Sequence, residues 1–172
     1  MTTLIFRFSS LGDVAITVPV IRCLSKKYPN HKFIVVSREK FKPLFVESPN
    51  VSFFCCDFKG RHKGFKGLIN LYKDLSEFNP SRIADLHNVL RSKILSLFFK
   101  LSLKKVKTLN KLRSEKKKLT RSKNKIFKPL TSVYYNYQEV FNKLGYSIDL
   151  NKDHTFPGSK TITSNYNFNN NT

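Results

Sequence analysis

Apolar residues in this chain fall into short runs, separated by stretches in which they recur every three or four positions. Leu4-Ile5-Phe6-Arg7-Phe8 is a run of strand length, and Ser9-Ser10-Leu11-Gly12-Asp13 reads as the turn into a helix. From Val14 the positions Val14, Val18, Ile21 and Leu24 keep helical spacing to about Tyr28, with Pro19 expected to bend the helix and Pro29-Asn30 to end it. A second strand (Lys32–Ser37), a short helix (Phe41–Glu47) and a third strand (Val51–Asp57) follow.

The segment Lys59–Gly67 is a basic loop broken by glycines. It leads to a helix with Leu68, Leu71, Tyr72, Leu75 and Phe78 on one face, stopped by Asn79-Pro80. Arg82–Leu86 predicts a fourth strand, Leu90, Ile94, Leu97, Phe98 and Leu101 a fourth helix, and Lys104–Leu109 a fifth strand. Tyr134–Leu144 predicts the last helix, with Gly145 as its stop. Strands alternating with helices point to an α/β fold, a Rossmann-like parallel sheet with helices on both faces. One domain is expected over residues 1–157. The tail Gly158–Thr172 is polar, Asn-rich and without apolar period, so it is expected to be disordered.

Composition agrees with a single folded domain: 172 residues, 40% hydrophobic, with 16 Phe and 7 Tyr, exclude wholesale disorder. Cys23, Cys55 and Cys56 are odd in number and have no CxxC spacing, so neither a disulfide framework nor a zinc site is signalled, and buried reduced thiols are expected. The N-terminal apolar run carries Arg7 and is soon followed by Asp13, which does not suit a signal peptide. Ile94–Leu103 contains Lys100 and falls short of the roughly 20 residues that span a bilayer. The expectation is a soluble cytoplasmic protein working at a membrane surface.

Charge changes the picture most. The chain holds 32 Lys+Arg against 11 Asp+Glu, a formal net charge of +21. Residues 91–128 alone hold 15 basic side chains and one acid, Glu115, so this block carries two thirds of the excess. A block such as Lys111–Arg121 repels itself unless an anionic partner neutralises it; phosphate, nucleic acid or acidic lipid could serve. A lysine-rich base composition is the plainer explanation of the same residues.

The turn Ser9–Asp13 lies where a parallel sheet places its ligand crevice, at the carboxyl end of a strand and the start of a helix. Backbone N–H groups there favour an anion, and the small Ser9, Ser10 and Gly12 let a ligand approach. The pattern is neither a Walker loop nor GxGxxG, and Ser10 or Asp13 could equally serve as a helix cap.

The turn belongs to a wider set of segments: Phe6-Arg7-Phe8-Ser9-Ser10-Leu11-Gly12-Asp13-Val14, Thr17-Val18-Pro19-Val20 and Tyr28-Pro29. Ser37-Arg38, Phe41-Lys42-Pro43, Pro49-Asn50-Val51, Asp57 and Ala84-Asp85-Leu86-His87-Asn88-Val89-Leu90-Arg91-Ser92 follow in order. Together, over about residues 3–157, they resemble glycosyltransferase family 9, which includes the lipopolysaccharide heptosyltransferases. The resemblance implies the N-terminal, acceptor-binding half of a GT-B architecture. It implies an inverting transfer of a sugar, with ADP-heptose the expected donor, to a lipopolysaccharide inner-core acceptor. It also makes Asp13 the general base and requires no cofactor, the nucleotide-sugar being a substrate held mainly by a second domain. That domain is missing from these 172 residues; a separate polypeptide could supply it, and the chain alone could be an inactive fragment or remnant.

Other residues suit the same cleft. His87 and Arg91 could bind an anionic acceptor group, His87 being equally readable as a capping or packed side chain. Lys59, Arg61, Lys63 and Lys66 suit a phosphorylated or carboxylated lipid-linked sugar, or form a solvated loop. Arg113 and Arg121 come from the basic block. Asp85 reads as structural. The expected partners are an anionic lipid-linked saccharide and, peripherally, the inner-membrane surface. The alternative is a basic module that tracks nucleic acid or another polyanion, but no helix-turn-helix, zinc-finger or RRM signature accompanies the block, and nucleic acid is not the expected partner.

Overall fold

The structure is a computed structural model and describes residues 1–45, 49–111 and 132–150. Five strands, β1 (Thr2–Phe6), β2 (Lys32–Ser37), β3 (Val51–Cys55), β4 (Arg82–Asp85) and β5 (Lys105–Thr108), form one sheet in the order β3-β2-β1-β4-β5. Every neighbouring pair is parallel. Among the described residues four helices connect or cover them: α1 (Leu11–Lys27), α2 (Gly64–Ser76), α3 (Leu90–Leu101) and α4 (Val133–Leu144), with a 3₁₀ segment over Glu39–Phe45. This is the expected Rossmann-like sheet with helices on both faces.

Period-two alternation divides the strand residues between two cores. Ile5, Phe33, Val35 and Ala84 face α1 and α4, where they meet Val14, Leu24, Tyr137 and Phe141. Leu4, Phe6, Ile34, Val36 and Ile83 face the other way and meet Leu68, Leu71 and Leu75 of α2 with Leu95 and Phe99 of α3. Strands buried on both sides have no polar face, which is why they read in sequence as unbroken apolar runs.

Several boundaries differ from expectation for local reasons. β1 ends at Phe6, so Arg7 and Phe8 belong to the turn. α2 begins at Gly64, which puts Lys66 on its first turn instead of in a loop. The segment expected to be a short α-helix is 3₁₀, and Pro43 within it removes an amide donor. α1 continues through Pro19 to Lys27, and α4 ends as expected at Gly145, whose φ of 93° is left-handed. Cys23 and Cys56 are buried, but Cys55, the last residue of an edge strand, is exposed. The polar tail and residues 112–128 of the basic block, Arg113 and Arg121 included, lie outside the described residues.

The sheet order reverses direction between β1 and β4. Their carboxyl ends diverge into α1 on one face and α3 on the other, which sets the Ser9–Asp13 turn beside the His87–Arg91 segment, the place where parallel sheets of this topology put a ligand crevice.

Candidate functional site

Asp13 is the third residue of α1 and is held in place from two sides. The Ser10 hydroxyl donates to its Oδ2 at 2.9 Å and the Ser10 backbone N–H at 3.4 Å. Arg7, almost fully buried, forms an ion pair with the same oxygen. Among the described residues all of these contacts fall on Oδ2, and Asp13 remains 37% exposed. Burial works to raise the Asp13 pKa, but the Ser10 hydrogen bond and the Arg7 charge outweigh it, so the carboxyl lies below its ordinary value. At neutral pH it is a carboxylate.

Arg7 is the residue that sequence reading passed over. Its guanidinium also donates to the Leu86 carbonyl at 2.6 Å and lies 6.0 Å from the Tyr137 ring, while the Tyr137 hydroxyl donates to the Asp13 carbonyl at 3.4 Å. One cation thus ties the β1 turn to the end of β4 and to α4. The available signal was an arginine in the middle of an otherwise apolar run.

The opposite wall is organised by Asp85. This fully buried carboxyl accepts the backbone N–H groups of His87 (3.0 Å) and Asn88 (2.8 Å), and Ser96 reaches its other oxygen at 3.4 Å. Burial pushes its pKa up and the backbone bonds pull it back in part, so Asp85 shapes the turn, as expected. Asn88 takes a left-handed φ of 48° and its amide donates to the Leu109 carbonyl at 2.7 Å.

His87 meets Ser9 where the two turns join, with Nε2 at 3.4 Å from the hydroxyl, and packs edge-on against Phe8 at 5.4 Å. Burial first, and then the Arg7 and Lys111 charges, push its pKa down to about 4. It is therefore neutral at pH 7 and meets any ligand as a hydrogen-bonding ring, not as a cation. Its Nδ1 is buried without a partner among the described residues. Arg91 is exposed, with its guanidinium 5.1 Å from the Phe58 ring, which in turn packs 4.9 Å from Phe8. Phe58 brings the loop after β3 to the same place.

That loop has an internal lock. The Asp57 carboxylate accepts the backbone N–H groups of Lys59 (3.1 Å), Gly60 (2.8 Å) and Arg61 (3.1 Å), so a side chain already fills the anion cradle they make. These bonds hold the Asp57 pKa below the ordinary range. Arg61 grips Asp74 at 2.9 and 2.6 Å, and the buried His62 adds a contact to the same carboxylate at 3.0 Å. Arg61 is thus committed to Asp74 in this structure, whereas Lys59, Lys63 and Lys66 are exposed. Among the described residues no group of His, Cys, Asp and Glu could hold a metal ion.

The arrangement invites comparison with known proteins. No family model matches the chain. Over 100 residues it is 27% identical to the lipopolysaccharide core heptosyltransferase OpsX of Haemophilus influenzae, a match that takes in 58% of this chain and 28% of that protein. Fold comparison pairs 85% of this chain with 41% of a family 9 glycosyltransferase from Veillonella parvula, at a TM-score of 0.59 and 21% identity. It also pairs 86% of the chain with 48% of the E. coli heptosyltransferase WaaC, solved with ADP, at a TM-score of 0.57 and 19% identity.

The chain resembles the family 9 heptosyltransferases. The fold is the one expected above, a Rossmann-like α/β unit shared with GT-B glycosyltransferases. The chain spans less than half the length of each of these proteins. Among the described residues no helix is long and apolar enough to cross a membrane.

Proposed function

We propose that this chain is the acceptor-binding half of a heptosyltransferase-like enzyme, working at the cytoplasmic face of the inner membrane. The reaction would move a sugar from ADP-heptose to a lipopolysaccharide inner-core acceptor with inversion at the anomeric carbon. The observation that carries this reading is Asp13 at the sheet's switch point, ionised, fixed through Oδ2, and with its side chain 37% exposed.

A carboxylate placed this way accepts the acceptor hydroxyl's proton as that oxygen bonds to the anomeric carbon, and the hydroxyl becomes acidic enough for a weak base only as the bond forms. Arg7 and Ser10 supply position, so that the carboxylate need not reorganise. Ser9, Ser10 and the neutral His87 offer hydrogen-bonding groups to acceptor hydroxyls, while Arg91, Lys59, Lys63 and Lys66 supply charge for its phosphates or carboxylates. Gly12 fits the same reading: a Cβ built there meets nothing within 4 Å, so no contact among the described residues demands glycine. Stabilisation of the departing diphosphate would fall to the donor-binding half.

The test is sugar transfer by the native polypeptide that carries this chain, from ADP-heptose to heptose-free inner core. Asp13→Asn is expected to lower the rate by about 100-fold or more, with acceptor binding unchanged within about threefold. An unchanged rate overturns the general-base role. A wild-type protein that neither transfers the sugar nor binds the acceptor overturns the function.

A further inference from the structure

Of the apolar positions that helical spacing singles out on α3, Ile94 and Phe98 are partly buried, whereas Leu90, Leu97 and Leu101 are exposed. At about 100° per residue, Leu90, Ile94, Leu97 and Leu101 fall within a sector of about 60°, and Leu95 and Phe99 lie roughly opposite. The structure buries Leu95 and Phe99 against the sheet and leaves Leu90, Leu97 and Leu101 at 75, 52 and 73% exposure. The helix is apolar on two sides, and the fold uses one of them.

The loop that ends α3 extends this surface. Leu103 is 94% exposed and takes φ 59°, a left-handed conformation that disfavours a leucine. It occupies the place where helix ends favour glycine, with the Leu103 N–H bonded to the Lys100 carbonyl at 2.9 Å and the Lys104 N–H to the Phe99 carbonyl at 3.0 Å. Phe65, exposed on the first turn of α2, packs on Phe98 beside the stripe at 6.4 Å.

Charge identifies the occupant. Between residues 90 and 111 there are seven basic side chains and no acid. Lys93 and Lys100 flank the leucines on one side of the helix, Lys104 follows Leu103, and none of the three has an acidic partner among the described residues. A second copy of this chain would bring like charges together. A nucleic-acid backbone would satisfy the lysines but leave bare leucines in water. An anionic bilayer satisfies both, because leucines enter the acyl boundary while lysines meet headgroup phosphates.

We propose that the outer face of α3, with Leu97, Leu101 and Leu103 at its centre and Lys93, Lys100 and Lys104 around it, is the surface by which this protein sits on an anionic membrane. The proposal deepens the membrane placement proposed above. The stripe begins at Leu90, next to Arg91, so a lipid-linked acceptor rising from the bilayer along α3 reaches the crevice between His87 and Asp13.

The test is co-sedimentation of the full chain with vesicles of phosphatidylglycerol and phosphatidylcholine, against pure phosphatidylcholine. Binding to the anionic vesicles is expected, falling as salt rises. Leu97→Gln/Leu101→Gln and Lys93→Gln/Lys100→Gln are each expected to weaken it by about tenfold or more. Leu103→Gly is the control for folding, since it relieves the left-handed strain. It is expected to unfold no earlier than wild type in urea and still to lose about fivefold in vesicle binding. Equal binding by wild type and the leucine variants, or a wild-type dimer in sedimentation velocity that Leu97→Gln/Leu101→Gln dissolves, overturns the proposal. The vesicles carry no saccharide and no nucleotide-sugar, so failure of sugar transfer and failure of membrane docking are read separately.

Discussion

At the scale of single residues the site is a set of polar groups that the fold holds at a cost. Arg7 is buried, and its ion pair with Asp13 is acceptable because the pair also carries hydrogen bonds from Ser10 and to the Leu86 carbonyl. His87 carries a penalty that pH exposes. Its pKa falls from 6.5 to about 4 on folding, so between those values the unfolded chain takes up a proton that the folded chain refuses. Stability is therefore expected to decline as pH falls from about 6.5 to about 4, by up to about 3 kcal/mol from this residue. Urea unfolding of wild type and His87→Gln across that range measures it: the variant should lack this part of the slope, and equal slopes would refute the assignment. The turn that carries Asp13 was legible in the sequence as a local pattern, small residues ending in aspartate between a strand and a helix, whereas a base role for Asp13 came only with the family resemblance. Arg7 was not, because nothing local distinguishes an arginine ending a strand in solvent from one turned inward onto a carboxylate.

At the scale of elements, the loop between β3 and α2 owes its shape to carboxylates, not to its many lysines. Asp57 closes the turn through three backbone N–H groups, and Asp74 of α2 anchors it through Arg61 and His62. The Arg61 hydrogen bond, foremost among the causes, lowers the Asp74 pKa to about 2. A carboxyl lowered in the fold adds stability above its unfolded pKa and loses it as pH falls through the folded value. Asp74→Asn is therefore expected to melt about 2–5 °C below wild type at pH 7, with the difference shrinking as pH drops from about 4 towards 2. Calorimetry at pH 7 and pH 2.5 distinguishes this from a gap that persists in acid, which would mean that packing and not charge is responsible. The basic loop was visible in sequence, but its internal pairing was not, since Arg61 and Asp74 are thirteen residues apart and meet only when the turn closes. The last turn of α3 gives a second lesson. Replacing the left-handed Leu103 with glycine should add about 1 kcal/mol of stability, and a leucine retained there fits a surface chosen for what it touches.

At the scale of the molecule, the sheet order places the Asp13 and His87 turns side by side, and seven basic side chains with no acid fall within residues 90–111, which carry α3 and β5. If the nucleotide-sugar is held mainly by another domain, the 172-residue chain should bind ADP with a Kd no tighter than about 1 mM, roughly 4 kcal/mol of binding free energy. Micromolar binding in titration calorimetry would move the donor site onto this half. The alternation of strands and helices, the turn that carries Asp13 and the glycine that stops α4 followed from the sequence, because each depends on residues close together in the chain. The burial of Leu95 and Phe99 in place of Leu90, Leu97 and Leu101 did not, because α3 is apolar on two sides and the sheet can cover only one. The Arg7–Asp13 pair, the approach of His87 to Ser9 and the commitment of Arg61 to Asp74 were settled by packing, since each joins groups that nothing in the local pattern brings together.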